Sequence, residues 1–113
     1  MAEVVKKFPE DMDARTEYKL IKALSKKMSD AADSVIEVKA WIVFNDVDYN
    51  TGEQREVLTV ETQDGEIFST ISSVFMREFN DIVKHFGLDV GAIRVIEGIS
   101  RRSGRKYLTC TVD

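Results

Sequence analysis

Two spacings of hydrophobic residues divide this chain into strands and helices. Over residues 34–44, β-branched and aromatic residues follow a period of two, which is the strongest strand signal in the sequence. Weaker runs with the same period predict four more strands. These strands cover residues 55–62, 67–71, 90–97 and 106–112.

A spacing of three to four residues predicts an N-terminal helix. Leu20, Leu24 and Met28 form its apolar stripe, and Asp13 is a candidate N-cap. Residues 1–12, ahead of this helix, show no clear period. We therefore expect them to form a mobile or loosely docked arm.

The same helical spacing recurs between the third and fourth strands. Ser72 or Ser73 is placed to cap this helix, and Gly87 stands where a helix commonly ends. Four large apolar residues lie on one stripe, which predicts a helix buried along one side. They are Phe75, Phe79, Ile82 and Phe86.

Strict alternation along residues 34–44 predicts which side chains face the core. Trp41 shares its face with the charged Glu37 and Lys39, so it is expected at or near solvent. There it either is covered by a loop or the N-terminal helix, or binds a ligand. The opposite face consists of Ile36, Val38, Ala40, Ile42 and Phe44.

Two turns separate the first three strands. Residues 45–54 are rich in Asn, Asp and Gly and predict a long hairpin loop with Tyr49 at its tip. Asp64 and Gly65 predict a tight turn, because Asp-Gly tolerates positive φ angles. On the short third strand the spacing leaves open which side faces the core, either Phe68 or the pair Ile67 and Ile71.

Three strands, a helix and two strands form the chain order of the OB-fold, a five-stranded Greek-key barrel with a helix between strands three and four. We therefore predict a mostly β protein of this class with an extra N-terminal helix. Its 113 residues are enough for a single domain. Residues 1–33 would form the N-terminal arm and amphipathic helix, and residues 34–113 the barrel.

Charge singles out one stretch of this chain. There are 16 Lys and Arg against 20 Asp and Glu, so the formal net charge is −4 and a cationic surface must be local. Residues 100–107 carry four cations and one tyrosine with no acid among them. In an OB-fold this stretch is the loop between strands four and five, which takes part in nucleic-acid binding.

A sequence-tolerant site for single-stranded nucleic acid needs spaced cations for phosphates and aromatic rings on which bases stack. Trp41 and Tyr107 are the predicted stacking residues, and Phe68 and Tyr49 are weaker candidates. The alternative for the basic loop is a solvated turn. The predicted phosphate contacts are Arg101, Arg102, Arg105 and Lys106, flanked by Lys39, Arg55 and Arg94.

Several short motifs follow one another in residues 39–44, 51–53, 64–72 and 98–110. Their order resembles the small single-stranded DNA-binding proteins of tailed bacteriophages. This resemblance implies an OB-fold and a role in protecting phage DNA strands during replication or recombination. Many proteins of this kind continue into an acidic tail, whereas this sequence ends at Asp113, right after its last predicted strand.

Other functions remain open at the level of sequence. The chain could instead be an OB-type adaptor that binds a replication or recombination protein through its acidic middle. Glu37 and Lys39 superficially match the Glu-x-Lys set of metal-dependent nucleases, but we expect no enzyme, no metal and no cofactor. RNA as the ligand and a homo-oligomeric state also stay open.

The sequence also suggests where the protein acts. No run approaches the about 18 apolar residues of a membrane helix, and the first residues lack a secretory signal's apolar core. We therefore expect a cytoplasmic protein without a membrane partner. The lone Cys110 stands at an alternating apolar position and is expected in the core.

Overall fold

The computed structural model describes residues 3–22, 25–47 and 50–113. In these ranges the protein is mostly β, with a curled, open sheet of seven strands and two α-helices. A short 3-10 helix, Met28–Ala31, follows β2. The elements in chain order are β1 (Glu3–Phe8), α1 (Ala14–Lys22), β2 (Lys26–Lys27), β3 (Val35–Val47), β4 (Gln54–Thr62), β5 (Ile67–Thr70), α2 (Ser73–Phe86), β6 (Ala92–Ile99) and β7 (Lys106–Val112).

The long strand β3 connects the two parts of the sheet. Its first residues pair with β6, and the rest of the strand pairs with β4 along one edge and with β1 along the other. The strand order is β2-β5-β4-β3-β6-β7. In the described part of the chain β5 and β7 do not pair, so the sheet curls without closing. Instead, β2 lies parallel to the outer edge of β5.

A bulge at Lys39 changes which side chains of β3 face the core. The pairing with β4 shifts between Val38 and Ala40, so one extra residue stands in β3 at this point. Val38 faces the main core before the bulge, and Trp41 faces it afterwards. The predicted exposure of Trp41 is therefore wrong, because an added residue reverses a period of two. Trp41 is only 1% exposed.

The main core lies between the concave side of the sheet and α2. Of the two candidate caps, Ser72 is the one that caps this helix, by accepting a hydrogen bond from the Phe75 backbone N–H at 3.2 Å, and the helix stops at Gly87 as predicted. Phe75 and Phe79 are fully buried and Ile82 nearly so. Phe86 was expected in the same stripe, but it is 57% exposed, and Val83 is buried from the last turns of α2 instead.

The convex side of β3 carries a second, smaller core under the N-terminal segment. Leu20 of α1 and Met12 pack there against Ala40, Ile42 and Phe44. Asp13 caps α1 as predicted, because its carboxylate accepts from the Thr16 backbone N–H at 2.7 Å. This hydrogen bond lowers the pKa of Asp13.

Two predictions for the N-terminal residues are wrong. Residues 3–8 form strand β1 rather than a loosely docked arm. Strand β6 pairs only with the first residues of β3, so the later residues on that edge are left to form backbone hydrogen bonds with β1. The described part of the first helix is Ala14–Lys22, and Met28 is buried from a 3-10 helix instead of from its apolar stripe. Leu24 lies outside the described residues.

The structure decides which side of β5 faces the core, a question that the sequence left open. Phe68 is 4% exposed and Ile71 is 59% exposed, so Phe68 faces the core. Ile67 packs into the smaller core on the other side. The turn at Gly65 has φ +87°, as the Asp-Gly pair predicted. Strand β6 begins and ends two residues later than expected, while β7 has the predicted bounds.

Candidate nucleic-acid interface

The predicted basic loop is the tip of the β6–β7 hairpin. The Ser100 N–H donates to the Arg105 carbonyl and the Gly104 N–H donates to the Ser100 carbonyl, both at 2.8 Å. Gly104 has φ +68°, a left-handed conformation that glycine adopts without strain. These bonds close the chain tightly, so Arg101 and Arg102 stand at the very end of the hairpin and are exposed.

The cations of this hairpin differ in their ion pairing. Arg94 lies 3.1 Å from Asp113, and Lys106 lies 3.7 Å from Glu97 across the hairpin. Within residues 3–22, 25–47 and 50–113, the other three cations of the loop make no ion pair, although the protein carries more acids than bases. These exposed and unpaired cations are Arg101, Arg102 and Arg105.

Tyr107 lies opposite Gly98 in the ladder between β6 and β7. Its ring crosses the glycine so closely that a Cβ at position 98 would lie 2.7 Å from the ring's Cε1 atom. The ring is thus held flat against the strand, and Tyr107 remains 41% exposed. Arg105 comes two residues earlier, just ahead of β7, and is exposed as well, so an exposed ring and unpaired cations lie close together along the hairpin. The sequence analysis missed Gly98, although counting back across the turn from Tyr107 would have found it.

Two of the predicted stacking residues are not available to a ligand. Trp41 donates from Nε1 to the Leu88 carbonyl at 2.8 Å and packs edge-to-face on Phe79 at 5.2 Å. Phe68 is buried, and the Lys26 ammonium lies 5.9 Å from its ring centroid. Both rings are core residues, and the structure excludes them from the interface. Tyr49 lies outside the described residues.

The flanking cations Lys39 and Arg55 do not join the hairpin. Arg55 lies opposite Asp46 in the β3–β4 ladder, near the end of β3. Strand β6, in contrast, pairs with the beginning of β3. Since β6 runs antiparallel to β3, its hairpin tip points away from Asp46, and Arg55 lies at the opposite end of the sheet. Lys39 is exposed at the bulge between them. Arg94, on the outer face of β6, does belong to the hairpin.

The convex face of β3 and β4 is not open to a ligand. Thr59 and Glu61 of β4 point to that side, and both are buried beneath the N-terminal segment. Lys19 of α1 lies 3.6 Å from Glu61. An OB barrel exposes this region to nucleic acid, and here α1 covers it.

The seam between β5 and β7 adds a cation that the sequence analysis did not select. Lys27 is exposed and lines a cleft of about 330 Å³ together with Ser69, Ile71 and Leu108. No ion pair of Lys27 is found within the described ranges. Because Lys27 comes from β2, only the parallel pairing of β2 with β5 brings it near the hairpin.

The described residues contain no group of three or more His, Cys, Asp or Glu side chains that could hold a metal ion. Neither described helix has the length and apolar character needed to span a membrane. No family model, no curated protein and no solved structure matches this chain.

Proposed function

We propose that the protein is a non-enzymatic OB-type protein that binds single-stranded DNA with little sequence preference. Its contact surface is the β6–β7 hairpin, with Tyr107 as the stacking residue. Arg101, Arg102 and Arg105 contact phosphates. Arg94 and Lys106 flank them and exchange their exposed carboxylate partners for phosphates as DNA binds.

The strand pairing supports an OB-type barrel. Strands β3, β4 and β5 follow one another in an antiparallel meander, α2 comes next, and β6 returns to pair with the start of β3. This is the arrangement that the predicted order of three strands, a helix and two strands requires. β1 and β2 are additions to it. The open seam between β5 and β7 is where such a barrel would close.

The observation that carries the proposal is the pairing of an exposed tyrosine with unpaired arginines on one hairpin. Phosphates of a single strand recur along its length, and the bases between them are free to stack. A ring held flat against β6 offers one stacking surface at a small entropic cost, because its seat on Gly98 already restricts it. A stacked base contributes about 1–3 kcal/mol, and phosphate contacts supply a salt-dependent affinity.

The biological role follows from the resemblance to phage single-stranded DNA-binding proteins. In that role the protein protects or organises DNA strands during phage replication or recombination in the host cytoplasm, alone or as a homo-oligomer. Replication or recombination proteins are then its further partners. The same surface would accept single-stranded RNA, since it offers no contact specific to the deoxyribose.

The test is a fluorescence-polarisation titration of labelled oligo-dT against a duplex of the same length, each at low and at moderate salt. We expect binding to oligo-dT that weakens steeply as salt rises, and weaker binding to the duplex. An oligo-rU arm compares RNA with DNA. If oligo-dT does not bind even at low salt, the proposal is wrong.

A further inference from the structure

A second surface of the protein is a groove at the end of the sheet opposite the hairpin. It is an open cavity of about 540 Å³ between α2 and the concave side of β1, β3 and β4. Val5 of β1 and Ile71, just after β5, stand at its sides, and Met76 of α2 forms part of its wall. None of these residues belongs to the β6–β7 hairpin.

The accessible walls of this groove are aliphatic. Val5 is 54% exposed and Ile71 is 59% exposed, which is unusual for residues of this size next to a core. The aromatic rings in the lining, Trp41 and Phe79, are 1% and 2% exposed, so their faces are already covered. A base would find no ring on which to stack, whereas an aliphatic or aromatic peptide side chain would fit between Ile71 and Met76.

The rim of the groove is cationic. Lys6, Arg55 and Arg77 line it, and Glu56 is the acid among the described residues of the lining. Lys6 and Arg55 form no ion pair in the described part of the chain, and Arg77 has only its neighbour Glu78, at 3.9 Å. Three cations against one acid give this surface a charge opposite to that of the whole protein.

The groove also borders a free strand edge. β1 pairs with β3 along one side, and no described strand pairs with its other side. The pairing with β3 shifts between Val4 and Lys6, which places Val5 at a bulge beside the groove. An extended peptide can add to such an edge through its backbone, while its side chains enter the adjacent pocket.

We infer that this groove binds an extended acidic segment of a partner protein, with one or two large apolar side chains as anchor. The apolar anchor lies between Ile71 and Met76, and the acidic residues on either side of it face Lys6, Arg55 and Arg77. The surface differs from the acidic middle of the chain, which the sequence analysis considered for an adaptor. Its lining contains no residue of the hairpin, although Ile71 also borders the seam cleft beside β7, so the groove gives a DNA-binding protein a way to recruit a second protein.

The test uses a fluorescein-labelled synthetic peptide of two leucines with three glutamates on each side, titrated into the full-length protein by fluorescence polarisation. We expect saturable binding and amide shifts in ¹⁵N spectra confined to β1, the ends of β3 and β4, Ile71 and α2. A peptide with serines in place of the leucines tests the anchor, and one with glutamines in place of the glutamates tests the charge. Both should bind at least about tenfold more weakly.

Variants of the protein locate the site. The double variant Lys6→Glu and Arg77→Glu should lower the affinity for the acidic peptide about tenfold. Both side chains are exposed, so the changes should leave the fold intact. The double variant Lys22→Glu and Lys84→Glu is the charge-matched control, because it reverses two exposed cations on the helices outside the groove. Ile71→Asp should lower the affinity for the peptide as well, because it places a charge beside the apolar anchor.

Three outcomes overturn the inference. One is no binding of the leucine peptide at about 1 mM. Another is equal loss of affinity in the control variant Lys22→Glu and Lys84→Glu and in the variant Lys6→Glu and Arg77→Glu, which would make the effect one of overall charge. The third is competition by oligo-dT with shifts in the same groove residues, which would make the groove part of a nucleic-acid site.

Discussion

The ring of Tyr107 lies across the backbone of Gly98 and covers the space that any other residue at position 98 would fill. The two residues are directly opposite in the β6–β7 ladder. An aromatic ring over a cross-strand glycine shields its backbone and gains packing that the glycine alone cannot supply. This contact fixes the direction of the one exposed ring in the candidate interface, and it can be tested directly.

Gly98→Ala should displace Tyr107 without unfolding the protein. The atoms that a methyl group would meet belong to the far end of the tyrosine side chain, which can rotate away, so we expect a loss of about 1 kcal/mol of stability. The ring then no longer lies on the strand, and affinity for oligo-dT should fall severalfold. Urea unfolding and polarisation measure the two effects. In a Tyr107→Ser background the same glycine substitution should not change affinity further; an additional loss there would show that the ring is not involved.

Replacing Arg101, Arg102 and Arg105 together by Gln should reduce both the affinity for oligo-dT and its salt dependence. Each phosphate contact to a single strand contributes about 0.7 to the slope of log affinity against log salt, so the slope should fall by about 2. The charge-matched control replaces Arg15, Lys22 and Lys84, three exposed cations on the helices, by Gln. If the control loses as much affinity as the hairpin variant, net charge rather than the hairpin governs binding.

The fluorescence of Trp41 should depend on the packing of the core and should not respond to DNA. Since it is buried against Phe79, its emission should be that of a shielded indole and should not change when oligo-dT is added. Trp41→Phe removes the donor to the Leu88 carbonyl and should cost about 1–3 kcal/mol of stability, with unchanged DNA affinity. In that background Tyr107→Trp places the only indole on the hairpin, and its emission should be quenched by oligo-dT. Quenching of the wild-type Trp41 instead would contradict its placement.

The stability of the protein should fall at alkaline pH because of Cys110. Burial, with a smaller contribution from the Glu78 carboxylate, raises the pKa of this thiol from 9.0 to about 12. The unfolded thiol therefore ionises first, so this contribution to the free energy of unfolding is complete below pH 9 and is lost as the pH rises towards about 12. Between about pH 8 and pH 10.5 we expect a loss of about 2 kcal/mol.

Cys110→Val separates this effect from the titration of lysines and tyrosines in the same pH range. The variant keeps an apolar side chain of similar size but has no thiol to ionise. Its unfolding free energy, measured by urea titration at both pH values, should fall by about 2 kcal/mol less than that of the wild type. Parallel losses in the two proteins would mean that the thiol does not titrate as described.

Leu20→Ala tests whether α1 is fixed on the convex face. Leu20 is 2% exposed within the smaller core, so its truncation should cost about 2–5 kcal/mol. Tyr18→Ala is the matched control on the same helix, because Tyr18 is 68% exposed and should lose little. Equal losses in the two variants would mean that the contacts of Leu20 do not stabilise the protein.

Local sequence patterns predicted the structure correctly where it depends on contacts between residues that are close in sequence. The second helix with its Ser72 cap and Gly87 stop, the turn at Gly65 and the bounds of β7 depend on nearest neighbours, and each was predicted correctly. The basic loop was also identified by sequence, because charge is a property of composition. Its exposure and its place at the tip of a hairpin agree with that prediction.

Tertiary structure decided which rings a ligand can reach and which cations lie together. One extra residue at Lys39 reverses the faces of β3 and turns Trp41 inward, and a period of two cannot reveal such a bulge. The placement of Arg55 away from the hairpin follows from the pairing of β6 with the start of β3. Contacts between residues far apart in sequence produce no pattern in the local sequence. Examples are Lys27 and Leu108, which line the same cleft, and α1, which packs over β4. The sequence by itself therefore determined most of the elements and the basic loop, while long-range pairing determined β1, β2 and the surface that the elements form.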